Sequence, residues 1–230
     1  EIRCRRNHDK KKHTPLFDHR RLGRFSAGGG GATEFWKQRS THKTELARKA
    51  PAPQPYEPLN ASGDLSLFSY TSTVGRLKGL MRVPKVQKRR KESRYPVLLY
   101  LHGGFALGAQ DVLDCQRFTD DGYAVVAPSY RGENGNPGHH EMFYGELDDA
   151  VAALHWIDRD KELDGDRVVV FGHSAGGALS ALMTLVPGLK VKAFGSAGGF
   201  YREDVFGAWE APFKLTEKEK SLRLAYRWVH

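Results

Sequence analysis

An α/β fold on a doubly wound, mostly parallel sheet, entered through an N-terminal edge hairpin, is predicted by three features of this 230-residue sequence. Four short apolar runs, at 97–101, 123–127, 167–171 and 191–194, have strand length and little polar alternation, as strands covered on both faces do. Segments of helical character separate them, giving the strand–helix alternation of parallel βαβ units. Ahead of them lie two strand-like segments joined by a short turn.

Taken in chain order, residues 1–50 hold 14 Lys and Arg against 5 Asp and Glu, whereas residues 51–230 hold 22 of each. The whole formal charge of +9 therefore sits in the first fifty residues. Their apolar residues follow no period and Gly28 to Gly31 form a run, so residues 1–50 read as a basic, disordered tail. No interleaving of aromatic and basic residues marks an RNA-binding module, and nucleic acid is not an expected partner. Pro51, Pro53 and Pro55 make 51–63 an extended linker, and residues 64–230 form the catalytic-type domain.

Residues 65–73 and 77–83 read as the two arms of the hairpin, turning at Val74-Gly75-Arg76 and stopping at Pro84. The basic stretch 85–94 reads as a solvated loop. Residues 112–120 have helical character. Residues 144–158 place Leu147, Val151, Leu154 and Ile157 near helical spacing, with Glu146, Asp148 and Asp149 early, where a helix favours negative charge. Residues 175–186 are small and apolar throughout, as a helix packed on a sheet must be, and helix-like sequence resumes at 216–228.

Chemistry concentrates at Gly172-His173-Ser174-Ala175-Gly176, a G-x-S-x-G pattern. It follows a buried run and precedes a small-residue helix, the strand–turn–helix setting of a nucleophile elbow. Ser174 is the candidate nucleophile. The glycines let strand and helix backbones pass closely beneath it. Earlier, His102-Gly103-Gly104-Phe105 ends the first buried run. An HGG loop there supplies backbone N–H groups to an oxyanion hole, so Gly104, Phe105 and Ala175 are the candidate donors. Ser196-Ala197-Gly198-Gly199 repeats the elbow's letters, but Phe194 stands where a glycine is needed, so Ser196 reads as a strand end near the site. His102 and His173 read as turn and elbow residues.

These pieces resemble the catalytic domain of the prolyl oligopeptidase-like (S9) serine peptidases and their esterase relatives, of the α/β-hydrolase superfamily. The resemblance spans residues 65–209. It rests on the hairpin ending at Pro84, Tyr95-Pro96 before the HGG strand, and Ala127-Pro128-Ser129-Tyr130-Arg131-Gly132 after the next. Asp148-Asp149, His155-Trp156-Ile157 and the elbow complete it. It implies a serine hydrolase that cleaves peptide or ester bonds through an acyl-enzyme, with no cofactor. The alternative is a non-catalytic binding protein on the same fold.

A serine nucleophile needs a base and an orienting acid, in the chain order Ser, Asp/Glu, His. After Ser174 come one aspartate, Asp204, and one histidine, His230. The family places both groups beyond two further strands, and only one strand-like run follows the elbow helix. Acid and base are therefore expected past residue 230, which would make the chain a poorly active partial domain with an open sheet edge. Asp204 then reads as a loop residue and His230 as a chain end.

Cys4 and Cys115 form no disulfide framework, and no CxxC or HExxH spacing marks a metal site. His139-His140 reads as a pair of loop histidines. No apolar run approaches the ~20 residues of a membrane span, and no secretory leader is visible, so the expected compartment is the cytoplasm. Oligomeric state is left open.

Overall fold

The computed structural model describes residues 58–201, apart from 86–93, 105 and 142. The tail, most of the linker, most of the basic loop, the helix-like segment 216–228, Asp204 and His230 lie outside the described residues. The elements are β1 (Leu65–Ser72), β2 (Gly75–Arg82), β3 (Tyr95–Leu101), α1 (Ala109–Leu113), α2 (Gln116–Asp120), β4 (Ala124–Pro128), α3 (Tyr144–Ile157), β5 (Leu163–His173), α4 (Ala175–Met183) and β6 (Ala193–Ala197).

Among the described residues six strands form one mixed sheet in the order β1-β2-β4-β3-β5-β6. β1 pairs antiparallel with β2, and β2 antiparallel with β4. The remaining pairings, β4 with β3, β3 with β5 and β5 with β6, are parallel. The hairpin thus caps one edge of a parallel sheet, as the sequence predicts. Its turn falls at Thr73-Val74, with Ser72 opposite Gly75.

The unbroken apolar runs serve two faces at once. From β3, Val97, Leu99 and Leu101 enter one core with Val126 of β4, Val170 of β5 and the inner faces of α3 and α4. Leu98 and Tyr100 enter the other with Val125, Ala127, Val112 and Cys115. Each fully buried leucine contributes ~2 kcal/mol, and β3 holds three. The sheet is therefore wound on both sides.

Most strand ends differ from the sequence reading by one or two residues, and four differences are larger. The helix expected over 112–120 is two short helices broken at Asp114-Cys115. The Cys115 N–H bonds Val112 O at 3.2 Å, and Cys115 O accepts from Phe118 N at 2.9 Å, so the chain tightens and restarts while Cys115 faces the sheet. β5 starts four residues early, because Leu163 pairs with Tyr95 before an irregularity in the register. α4 stops at Met183, and the Leu185 and Val186 N–H groups bond carbonyls three residues back, as a tightening last turn does. β6 starts at Ala193 and ends three residues beyond the expected run, at Ala197, because Gly195, Ser196 and Ala197 pair with Phe171, Gly172 and His173. Among the described residues no helix is long and apolar enough to cross a membrane.

Candidate active site

β5 delivers the chain to the edge of the sheet and α4 leaves from it, with Ser174 at the junction. Ser174 has φ 54° and ψ −118°, a conformation that costs a non-glycine residue ~1–3 kcal/mol. Its surroundings hold it there. Its N–H donates to Ala197 O at 2.9 Å, and its own carbonyl accepts from Ala178 N at 3.2 Å, opening α4.

Two glycines make that turn sterically feasible. A Cβ on Gly172 would lie 2.7 Å from Gly177 N and nearer still to the Gly176 carbonyl. One on Gly176 would lie 2.6 Å from His102 O and nearer still to the Leu101 carbonyl. All of these are main-chain atoms that cannot swing aside. The second set ties the elbow to the end of β3, where the HGG loop begins. A Cβ on Gly103 would stand 3.1 Å from Cβ of Ser174. The two motifs, about seventy positions apart in sequence, meet at one point.

Ala175 is the first residue of α4, so its N–H has no intrahelical acceptor and lies where the helix favours negative charge. Gly104 has φ 70° and is exposed, with open space where a Cβ would be. Phe105 lies outside the described residues. Ser174 is half-buried, and no described side chain hydrogen-bonds its hydroxyl. Ser196 is the penultimate residue of β6, opposite Gly172 of β5 and so beside the elbow. Its hydroxyl donates to Gly177 O at 2.8 Å and bonds the Tyr201 hydroxyl.

The layer under the HGG loop was not anticipated. His102 is a fully buried residue, not a simple turn residue. Its Nε2 lies 2.8 Å from Glu133 Oε1, its Nδ1 3.0 Å from Gly103 O, and its ring stacks on Tyr130 with centroids 4.6 Å apart. Glu133 also accepts from the Tyr130 N–H. Around it, Asn134 Oδ1 accepts from Leu107 N at 3.0 Å and from the Ser129 hydroxyl at 2.8 Å. Asn136 Oδ1 accepts from Lys78 N at 3.0 Å, and its amide donates to Tyr130 O at 3.1 Å. The loop after β4 is thus a buried polar scaffold for the chain that leads into Gly103 and Gly104. The sequence signal was present as the polar run Arg131-Gly132-Glu133-Asn134-Gly135-Asn136 directly after a buried strand.

Two of the acids expected to complement the dipole of α3 are interior ion-pair partners. Asp149 meets Arg131, with Nε to Oδ2 at 2.9 Å and Nη2 to Oδ1 at 2.8 Å. Arg131 Nη1 also reaches Glu141 at 2.9 Å. Glu146 meets His140 Nδ1 at 2.8 Å, so His140 is more than a loop histidine. Among the described residues no group of three or more acidic, His or Cys side chains is placed to hold a metal.

Burial alone would lower the pKa of His102, but the Glu133 carboxylate, its hydrogen bond and the Gly103 carbonyl hold it above the ordinary value. A histidine whose folded pKa is raised contributes stability that is complete below its unfolded pKa of about 6.5 and is lost as pH rises through the folded value. The melting temperature of the native protein is therefore expected to fall more steeply above about pH 6.5 than that of His102→Gln. Parallel melts from mildly acidic to alkaline pH check this. The His140–Glu146 pair titrates in both proteins and cancels in the comparison.

Comparison with known proteins follows the same lines. The model of a family described as X-Pro dipeptidyl-peptidase (S15 family) matches residues 35–208. The peptidase YtmA of Bacillus subtilis, itself described as uncharacterized, is 30% identical over 136 residues, covering 59% of this chain and 51% of that protein. Carboxylesterase 1F of Mus musculus is 36% identical over 107 residues, covering 42% of this chain and 19% of that protein. The chain thus spans about half the length of the first relative and a fifth of the second. Among solved structures, a prolyl endopeptidase superposes with a TM-score of 0.55 at 18% identity, over 71% of this chain and 26% of that one. A puromycin hydrolase does so with 0.52 at 19%, over 71% and 26%. At these identities the likeness is one of fold, and the fold is that of the α/β-hydrolases.

Proposed function

The chain belongs to the X-Pro dipeptidyl-peptidase (S15) family, and on that premise we propose that it is a serine hydrolase cleaving peptide or ester bonds through an acyl-enzyme on Ser174. The observation that carries this reading is the strained backbone of Ser174 between β5 and α4, over two glycines that leave no room for a side chain. Strain held this firmly at a half-exposed hydroxyl fits a nucleophile elbow.

In the proposed reaction Ser174 Oγ attacks the acyl carbon and its proton passes to a general base. The carbonyl oxygen becomes an oxyanion, held by the N–H of Ala175 and by N–H groups of Gly104 and Phe105. Collapse expels the amine or alcohol, which takes up the proton. Water then repeats the sequence on the acyl-enzyme and releases the acid. The base and its orienting acid come from residues outside the described ones. His102 does not serve, since its Nε2 is committed to Glu133 and the ring is buried. His173 is exposed beside Ser174 on the elbow itself, and no hydrogen bond joins its ring to the Ser174 hydroxyl.

The reading is tested with a fluorophosphonate probe on the protein at its natural length, followed by peptide mapping. A single phosphonyl adduct on Ser174 is expected. An adduct on Ser196, or none at all under conditions that label a known serine esterase, would overturn the assignment.

A further inference from the structure

Away from Ser174, a cleft of about 250 Å³ runs between the outer edge of β1 and one face of α3. Among the described residues β1 stands at the end of the sheet, four strand positions from β5, hence roughly 19 Å away at the usual strand spacing. Ser69 and Thr71 line the cleft from β1, His155 and Trp156 from α3, and Arg159 from just beyond the C-terminal end of α3. Arg76, opposite Thr71 on β2, also lines it.

The hydrogen-bond pattern shows that the strand offers its backbone there. Lys78 lies opposite Ser69. Its N–H goes to Asn136 and its carbonyl to Ser129 N, both away from β1. Ser69 is therefore in a non-hydrogen-bonded pair, and its own N–H and C=O point to the outer edge. By the two-residue period so do those of Thr71. The strand Leu-Ser-Leu-Phe-Ser-Tyr-Thr-Ser carries no charge or proline, the usual means of blunting an edge.

The walls decide what can pair with it. Arg76 and Arg159 are exposed, and neither makes an ion pair with another described residue. His155 adds a third basic group, 3.9 Å from Asp158. A second copy of the chain pairing through β1 would bring like charges together, which disfavours a dimer at this edge. A strand with carboxylates would meet both the open edge and the guanidinium groups. We propose that the β1–α3 cleft is a docking site for an extended acidic peptide, which adds to the sheet as a further strand and places its carboxylates against Arg76 and Arg159.

This does not depend on the chemistry at Ser174, and its test reads binding alone. The probe is a fluorescein-labelled eight-residue peptide alternating valine and glutamate, followed by anisotropy on the full chain. Saturable binding is expected, about tenfold weaker in an Arg76→Ser/Arg159→Ser double variant, whose basic first fifty residues are unchanged. A peptide N-methylated at two consecutive central amides, one on each edge, is expected to lose binding by about tenfold as well. No saturation up to about 1 mM would overturn the proposal. So would equal binding by the double variant, which would place the peptide on the basic tail. Undiminished binding of the methylated peptide would do the same, since contact would then be charge without strand addition. Equal melting curves of native and double variant show that the fold is intact.

Discussion

Ser174→Ala is expected to lower turnover of an activated ester by about 10⁴–10⁶-fold in the protein at its natural length, with the fold and melting temperature unchanged. The size follows from the proposed chemistry, because removing the nucleophile leaves only the oxyanion donors and the binding site to act on the ester. The unchanged fold follows from the structure. Every interaction described for the turn uses the main chain of Ser174, its N–H to Ala197 and its carbonyl to Ala178, and alanine retains both. A companion variant separates nucleophilicity from backbone strain. Ser174→Gly relieves the positive φ, so it is expected to be inactive yet melt higher, by about 1 kcal/mol. Initial rates and thermal melts on the three proteins check both statements. A loss of under tenfold in Ser174→Ala would remove Ser174 from the reaction.

The two motifs at this site were legible in sequence because each is constrained by its own neighbours. Ser174 follows an unbroken apolar strand and precedes a small-residue helix, and Gly103-Gly104 ends another such strand. Central strands read well for a related reason: with both faces covered, 97–101 and 123–127 contain no polar interruption to mislead. The pieces that read poorly depend on partners distant in sequence. Leu163 is a strand residue because Tyr95 lies across from it, and the Asp164-Gly165-Asp166 that follows looks like a turn by itself. Val112, Cys115 and Thr119 keep helical spacing across the break between α1 and α2, so periodicity cannot register the break.

Buried charge was the least legible feature. Glu146 sits in the first turn of α3, where a helix dipole welcomes acids, and Asp149 one turn further on, and nothing local announces Arg131 and His140 as their partners. His102 is a similar case, since a histidine before two glycines suits a turn until Glu133 is seen beneath it. The result bears on function. The loop that carries Arg131, Glu133, Asn134 and Asn136 supports the β3 end leading into the proposed oxyanion loop. Catalytic geometry of this kind depends on such a supporting layer.

Arg131→Leu is expected to destabilise the protein by about 3–5 kcal/mol at neutral pH, the usual effect of removing one partner from a buried ion pair. Arg131 is 2% exposed and Asp149 fully buried. The guanidinium gives two bonds to Asp149, one to Glu141 and one to Thr73 Oγ1 at 2.9 Å. It lies flat on α3 at Gly145, where a Cβ would stand 2.5 Å from its Nε. It therefore fastens the β1–β2 turn, the loop after β4 and α3 together, and the Ser72 hydroxyl completes the joint on Asp149. Leucine would leave two carboxylates in the interior without a cation. Burial already holds both carboxyls above their ordinary range, and losing the guanidinium that opposes this would raise them further, so the variant's extra deficit is expected to shrink as pH falls through the mildly acidic range. Converting Asp149 to leucine as well removes one of the two stranded charges, and the double variant is expected to cost less than the sum of the singles. Urea unfolding at neutral and mildly acidic pH measures all three effects. An Arg131→Leu midpoint equal to that of the native protein would show that this joint carries no net stability. Strict additivity would show that the two side chains act independently despite their contact.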